Sequence, residues 1–117
     1  MVEFVNLTAH EITIYDEEGK NVILRIPPSG KIARVATDSR IIGKIDGIPI
    51  RKTIYGEIIG LPDPRPGTIY LVSTVLLMAL KEKGINRPDV LAPDTTSDSA
   101  VRDEQGRIIG VKYLQTL

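Results

Sequence analysis

The sequence predicts a mainly β, α+β protein: a largely antiparallel twisted sheet or open barrel around one buried helix at about residues 74–83. Three observations carry this expectation. Most apolar residues fall in short β-branched runs broken by Gly, Pro and Asp, which is how strands read. The breaks between runs have the chemistry of hairpin turns. One segment only is apolar on nearly all faces over a helical length, and such a helix belongs inside. With 117 residues, 42% hydrophobic and 26% charged, the chain has the size and apolar content of a single domain, residues 1–117.

Taken in order, the predicted strands cover residues 3–7, 11–15, 21–26, 31–36, 41–45, 48–58, 68–72, 100–103 and 107–114. Asp46-Gly47 lies between two Ile-rich runs and is the dipeptide a type I′ turn prefers, because both central residues need positive φ. Asp16-Glu17-Glu18-Gly19-Lys20 and Asp103-Glu104-Gln105-Gly106-Arg107 are similar acidic turns, each followed by an Ile/Val run, and hint at two matching hairpins. For the helix, Ser73 caps the start, Lys81 and Lys83 suit the C-terminal dipole, and Gly84 ends it. The prolines at 62, 64 and 66 favour a stiff extended crossing between Gly60 and Gly67. Residues 94–99, Asp-Thr-Thr-Ser-Asp-Ser, read as a mobile loop.

Composition excludes several classes of function. The chain has no Cys, so disulfides and thiolate metal sites are out. Fifteen Lys and Arg balance fifteen Asp and Glu, which speaks against an extended nucleic acid as partner, since that affinity needs accumulated cations. Glu3 stands where a signal peptide needs basic residues, so a cytoplasmic location is expected. The longest uncharged stretch, from Pro66 to Leu80, falls short of the roughly 20 apolar residues of a membrane helix, so no membrane partner is expected.

Candidate binding residues occur in three places. Asn6, Thr8 and the only histidine, His10, meet where the first strand turns into the second: either a ligand corner, or a turn closed by Asn6 and Thr8. In residues 48–58 alternation puts Ile50, Ile54 and Ile58 on one face and Arg51, Thr53, Tyr55 and Glu57 on the other. Arg51 offers a planar fork for phosphate and Tyr55 a stacking surface, although a solvated sheet face is the commoner fate of such a pattern. After the helix, Arg87 and Arg102 offer an anion clamp with Asn86, Asp94 and Thr95 beside them; equally, Arg87 and Asp89 neutralise one another beside a turn.

Enzyme templates fail on inventory. Neither G-x-x-x-x-G-K-[S/T] nor G-x-G-x-x-G is present, no G-x-S-x-G elbow occurs, and one His without Cys makes zinc improbable. No cofactor and no metal are expected.

Asn6-Leu7-Thr8-x-His10, Gly60-Leu61-Pro62-x-Pro64-x-Pro66-Gly67-Thr68-x-Tyr70-x-Val72-Ser73, Ala92-Pro93-Asp94-Thr95 and Ala100-Val101-Arg102-Asp103 form a set. In these motifs the chain resembles an uncharacterised family of small bacterial, prophage and phage proteins that open with Asn-Leu-Thr-Pro-His; Ala9 replaces the Pro. The resemblance implies a phage or prophage setting and no mechanism. By analogy of context, the expected function is a non-enzymatic, homo-oligomeric protein that binds or sequesters a small anionic or nucleotide-like molecule, as an anti-defence sponge does. Its expected ligand residues are Asn6, His10, Arg51, Tyr55, Arg87, Asp94, Thr95 and Arg102. The alternatives are a small hydrolase using His10 with Asp94 or Glu57, and a phage structural or assembly protein without a ligand.

Overall fold

The computed structural model describes residues 2–117. Among these, the elements run β1 (Glu3–Asn6), β2 (Ile12–Tyr15), β3 (Val22–Ile26), β4 (Arg34–Ile45), β5 (Ile48–Ile59), β6 (Thr68–Leu71), α1 (Thr74–Glu82), β7 (Val90–Pro93), β8 (Ala100–Arg102), β9 (Ile108–Val111) and β10 (Leu114–Gln115). The mainly β class with one helix is as expected. Three separate sheets form, in orders β1-β6-β7-β10, β3-β2-β9-β8 and β4-β5, and none closes into a barrel.

The first sheet departs from the antiparallel expectation. β1 with β6 and β6 with β7 are parallel, and only β10 runs antiparallel to β7. Parallel neighbours need a crossover, and α1 is the crossover between β6 and β7. Strand residues alternate faces. Tyr70, Val72, Val90 and Ala92 therefore pack under Leu76, Leu77 and Leu80 of α1, while Leu71, Ile69, Leu91 and Phe4 pack on the other side against Ile12, Ile14 and Ile26 of the second sheet. The molecule is layered as helix, first sheet, second sheet. α1 is accordingly covered on one side and not wrapped: Leu76, Leu77, Ala79 and Leu80 are buried, whereas Val75 and Met78 are about half exposed.

Local chemistry behaves as the residues dictate. Ser73 Oγ accepts the Leu76 N–H at 3.2 Å, and Gly84 leaves the helix at φ 69. Asp46 and Gly47 take φ 51 and 77 in the turn between β4 and β5. The two acidic turns close the hairpins β2–β3 and β8–β9, which join through a parallel contact at Ile14 and Val111. In residues 94–99, Thr95 to Asp98 are exposed, while Ser99 at the end is fully buried: its carbonyl accepts Lys112 N–H at 2.9 Å, and its hydroxyl accepts Tyr113 N–H at 3.2 Å.

The third sheet is an arm. β4 and β5 pair only with each other, and no backbone hydrogen bond outside their own ladder ties residues 34–59 to the rest of the described chain. Val35 and Ile58 root it on the core beside Leu61. Twelve residues per strand at ~3.3 Å each reach roughly 40 Å. The molecule measures 49 × 38 × 22 Å with a radius of gyration of 16.4 Å, against about 13 Å for a compact chain of this length.

Candidate functional site

The eight expected ligand residues do not share a cavity. Asn6 is 1% exposed and fully engaged: its Nδ2 donates to the carbonyls of His10 at 2.8 Å and Ile26 at 3.0 Å, while its Oδ1 accepts Thr8 N–H at 2.9 Å and Thr8 Oγ1–H at 2.7 Å. Asn6 ties the end of β1 to β3 and closes the turn between. His10 is exposed beside it, and no hydrogen bond or ion pair of the described residues reaches its imidazole. Arg87 grips Asp89 with two bonds of 2.9 Å and donates to the Pro62 carbonyl at 2.8 Å, so its fork is filled from within. The guanidinium holds the Asp89 carboxyl below the usual carboxylate range, and Asp89 in turn raises Arg87.

Asp94 accepts the hydroxyl and backbone N–H of Thr96, at 2.7 and 2.9 Å, and both bonds lower its pKa. Thr95 borders a small apolar groove of about 170 Å³ with Pro93, Ile108 and Ile109. Arg102 donates to the Gly106 carbonyl at 2.6 Å, inside its own hairpin turn. Arg51 lies on the arm over a shallow polar surface with Thr37, Asp38, Ser39 and Thr53. His10 borders an open, mostly apolar groove of about 440 Å³ with Leu7, Ile32, Val35, Ser73 and Val75, and Tyr55 lines a cleft apart from all of these.

That cleft, about 390 Å³, opens between the arm and the C-terminal end of α1. Arg40, Lys52 and Lys83 line it with Ile42, Thr53, Ile54, Tyr55 and Glu82. Arg40 and Lys52 are direct partners across the β4–β5 ladder. Neither forms an ion pair among the described residues. No protein-family model, no curated protein and no solved structure matches the chain. Its function must therefore be read from its own surfaces.

The most unusual surface is the distal arm. Ile41, Ile42, Ile45 and Ile48 are all exposed, and Ile45 and Ile48, at 66% and 63%, face one another beside the Asp46-Gly47 turn. Soluble proteins rarely leave so much β-branched surface bare on a two-sided strand edge. The hairpin itself was legible from Asp-Gly between Ile runs. Its exposure was not, because alternation reports which side chains share a face and not what covers that face. Strand length is the available signal: twelve residues per strand is about twice the usual length, more than a small core covers.

Proposed function

We propose that this is a non-enzymatic assembly protein, whose copies join one another through the β4–β5 arm. The observation that carries the reading is surplus surface. The chain exposes 8090 Å², where a compact monomer of 12.9 kDa exposes about 6,300 Å². The excess, about 1,800 Å² on one chain, is about twice the ~800 Å² that each partner contributes to a standard interface. The arm is exposed along most of its length, with apolar side chains at its tip and two unpaired strand edges. A phage or prophage setting, as the family resemblance implies, suits such a component.

The hydrolase alternative finds no support in geometry, since among the described residues no carboxylate pairs with the His10 imidazole and Asp94 is engaged by Thr96. The binding of a small anionic or nucleotide-like molecule is favoured by one observation. Arg40 and Lys52 stand directly opposite with no acid between them, a like-charge pair that destabilises a hairpin and that a bound phosphate would offset.

Native mass spectrometry over a concentration series, with and without mixed nucleotides, tests both. Assembly predicts concentration-dependent oligomers without any adduct, lost when Ile45 and Ile48 become Lys. A stoichiometric nucleotide adduct abolished by Arg40→Ala with Lys52→Ala supports the ligand reading instead. A monomer at all concentrations refutes assembly.

A further inference from the structure

We infer that the arm of one copy docks on the β3 edge of the next, a head-to-tail contact that buries unlike surfaces rather than arm on arm. This rests on the assembly reading above and adds the acceptor and the geometry.

β3 is the outer strand of the second sheet, and one long side of it is unpaired. Its Val22, Ile23 and Leu24 are exposed, Ile23 at 67%, the most of any large apolar residue in the described chain. Short of Ile26, whose carbonyl Asn6 occupies, this apolar edge over Val22–Leu24 can accept an added strand, whose main-chain bonds give affinity while its side chains give register. Among the described residues the arm is the matching donor. β4 contains no proline, whereas β5 carries Pro49, so β4 presents the unbroken row of donors.

Charge selects the partner. Residues 34–59 hold Arg34, Arg40, Lys44, Arg51 and Lys52 against Asp38, Asp46 and Glu57, a net charge of +2. Because the whole chain is neutral, the remainder carries −2. The turn that leads into β3 holds Asp16, Glu17 and Glu18 against Lys20, a net charge of −2, and Arg25 within β3 is paired with Glu11. Two arms laid together would bring +2 against +2, whereas an arm on β3 brings its cations to an acidic turn. Unlike surfaces on one chain give a heterologous contact, which closes into a ring or runs on as a chain of copies.

The test is complementation. One variant carries Ile45→Lys with Ile48→Lys, which disables the arm; the other carries Ile23→Lys, which disables the edge. All three positions are exposed, and circular dichroism checks folding. Light scattering after gel filtration is expected to show wild-type oligomers, each variant alone as a monomer, and their equimolar mixture as a 1:1 complex of about twice 12.9 kDa. The mixture regains one intact arm and one intact edge, and lysines on both disabled surfaces prevent charge rescue.

A mixture that stays monomeric overturns the head-to-tail contact. So does an Ile23→Lys variant that assembles like wild type while the arm variant does not, which leaves arm-mediated assembly standing with another acceptor. A wild-type protein that is monomeric throughout removes the assembly reading itself. Hydrogen exchange on unmodified protein gives an answer independent of variant folding. Amides of residues 22–24 and 38–45 should gain protection together as concentration rises, and protection of the arm without β3 overturns the proposal.

Discussion

Replacing Asn6 with Asp changes one atom's hydrogen-bonding character inside the protein and nothing in its shape. The side chain's partners fix its orientation, because two carbonyls, of His10 and Ile26, lie on one side and the Thr8 N–H on the other. In the variant a carboxylate oxygen would replace the donor and face both carbonyls at about 3 Å. Two hydrogen bonds worth about 1 kcal/mol each disappear. A buried, unpaired charge adds to this, for a total of about 3–5 kcal/mol at neutral pH. Such a group binds its proton more tightly folded than unfolded, so its folded pKa is raised. The penalty is therefore largest above that raised value and shrinks as pH falls, when the protonated carboxyl donates to one carbonyl and the loss falls to about 1–2 kcal/mol. Urea denaturation of wild type and Asn6→Asp at pH 4.5 and 7.5 measures both numbers. A loss under about 1 kcal/mol at pH 7.5, or one that does not shrink in acid, refutes the structural role assigned to Asn6.

Three further outcomes are expected. Asp89→Asn breaks a largely buried ion pair and should lower stability by about 2–4 kcal/mol at neutral pH; because the Asp89 pKa is depressed in the folded protein, the wild type loses this advantage as pH falls below about 4, and thermal melts of the two proteins should converge there. Gly110→Ala would place Cβ 2.5 Å from Tyr15 Cε2 and 2.7 Å from the Thr13 carbonyl oxygen, a clash with backbone as well as side chain, so calorimetry should show a loss of at least about 1–3 kcal/mol. His10→Ala, at an exposed position whose bonds are all made by its backbone, should leave the denaturation midpoint within about 0.5 kcal/mol of wild type.

The elements that local chemistry specifies were the legible ones. The Asp46-Gly47 turn, the Ser73 cap, the Gly84 stop and the strand ends near Glu3, Ile12 and Ile26 all follow from residues within a few positions of them. β7 was missed because a short strand buried on both faces shows no alternation, and Val90-Leu91-Ala92-Pro93 reads as the approach to a loop. Residues 31–36 and 41–45 read as two strands because Thr37 to Arg40 are polar. Along the arm they face solvent, and the ladder to β5 carries the strand through them. The ligand residues failed for a different reason. Arg87, Asp94, Arg102 and Asn6 have partners within their own turns or beneath them, and a sequence shows the donor without showing that it is already satisfied. Arg40, Lys52 and Lys83 were passed over because they lie on three different elements and meet only in the fold.

The layered body and the arm differ in how far along the chain their pairings reach. β4 needs only β5, across a two-residue turn, so the arm can pair transiently once its own residues are made, on the microsecond scale of hairpins, though an isolated hairpin is marginally stable. β1 must wait for β6, and β2 for β9, whose residues emerge tens of positions later. On a ribosome the apolar arm therefore appears before the body that anchors it. Chains made side by side on one messenger would show one another adhesive hairpins while their cores are still open. Slow translation between residues 60 and 111 would lengthen that interval, and the yield of soluble protein should depend on it more than on final stability.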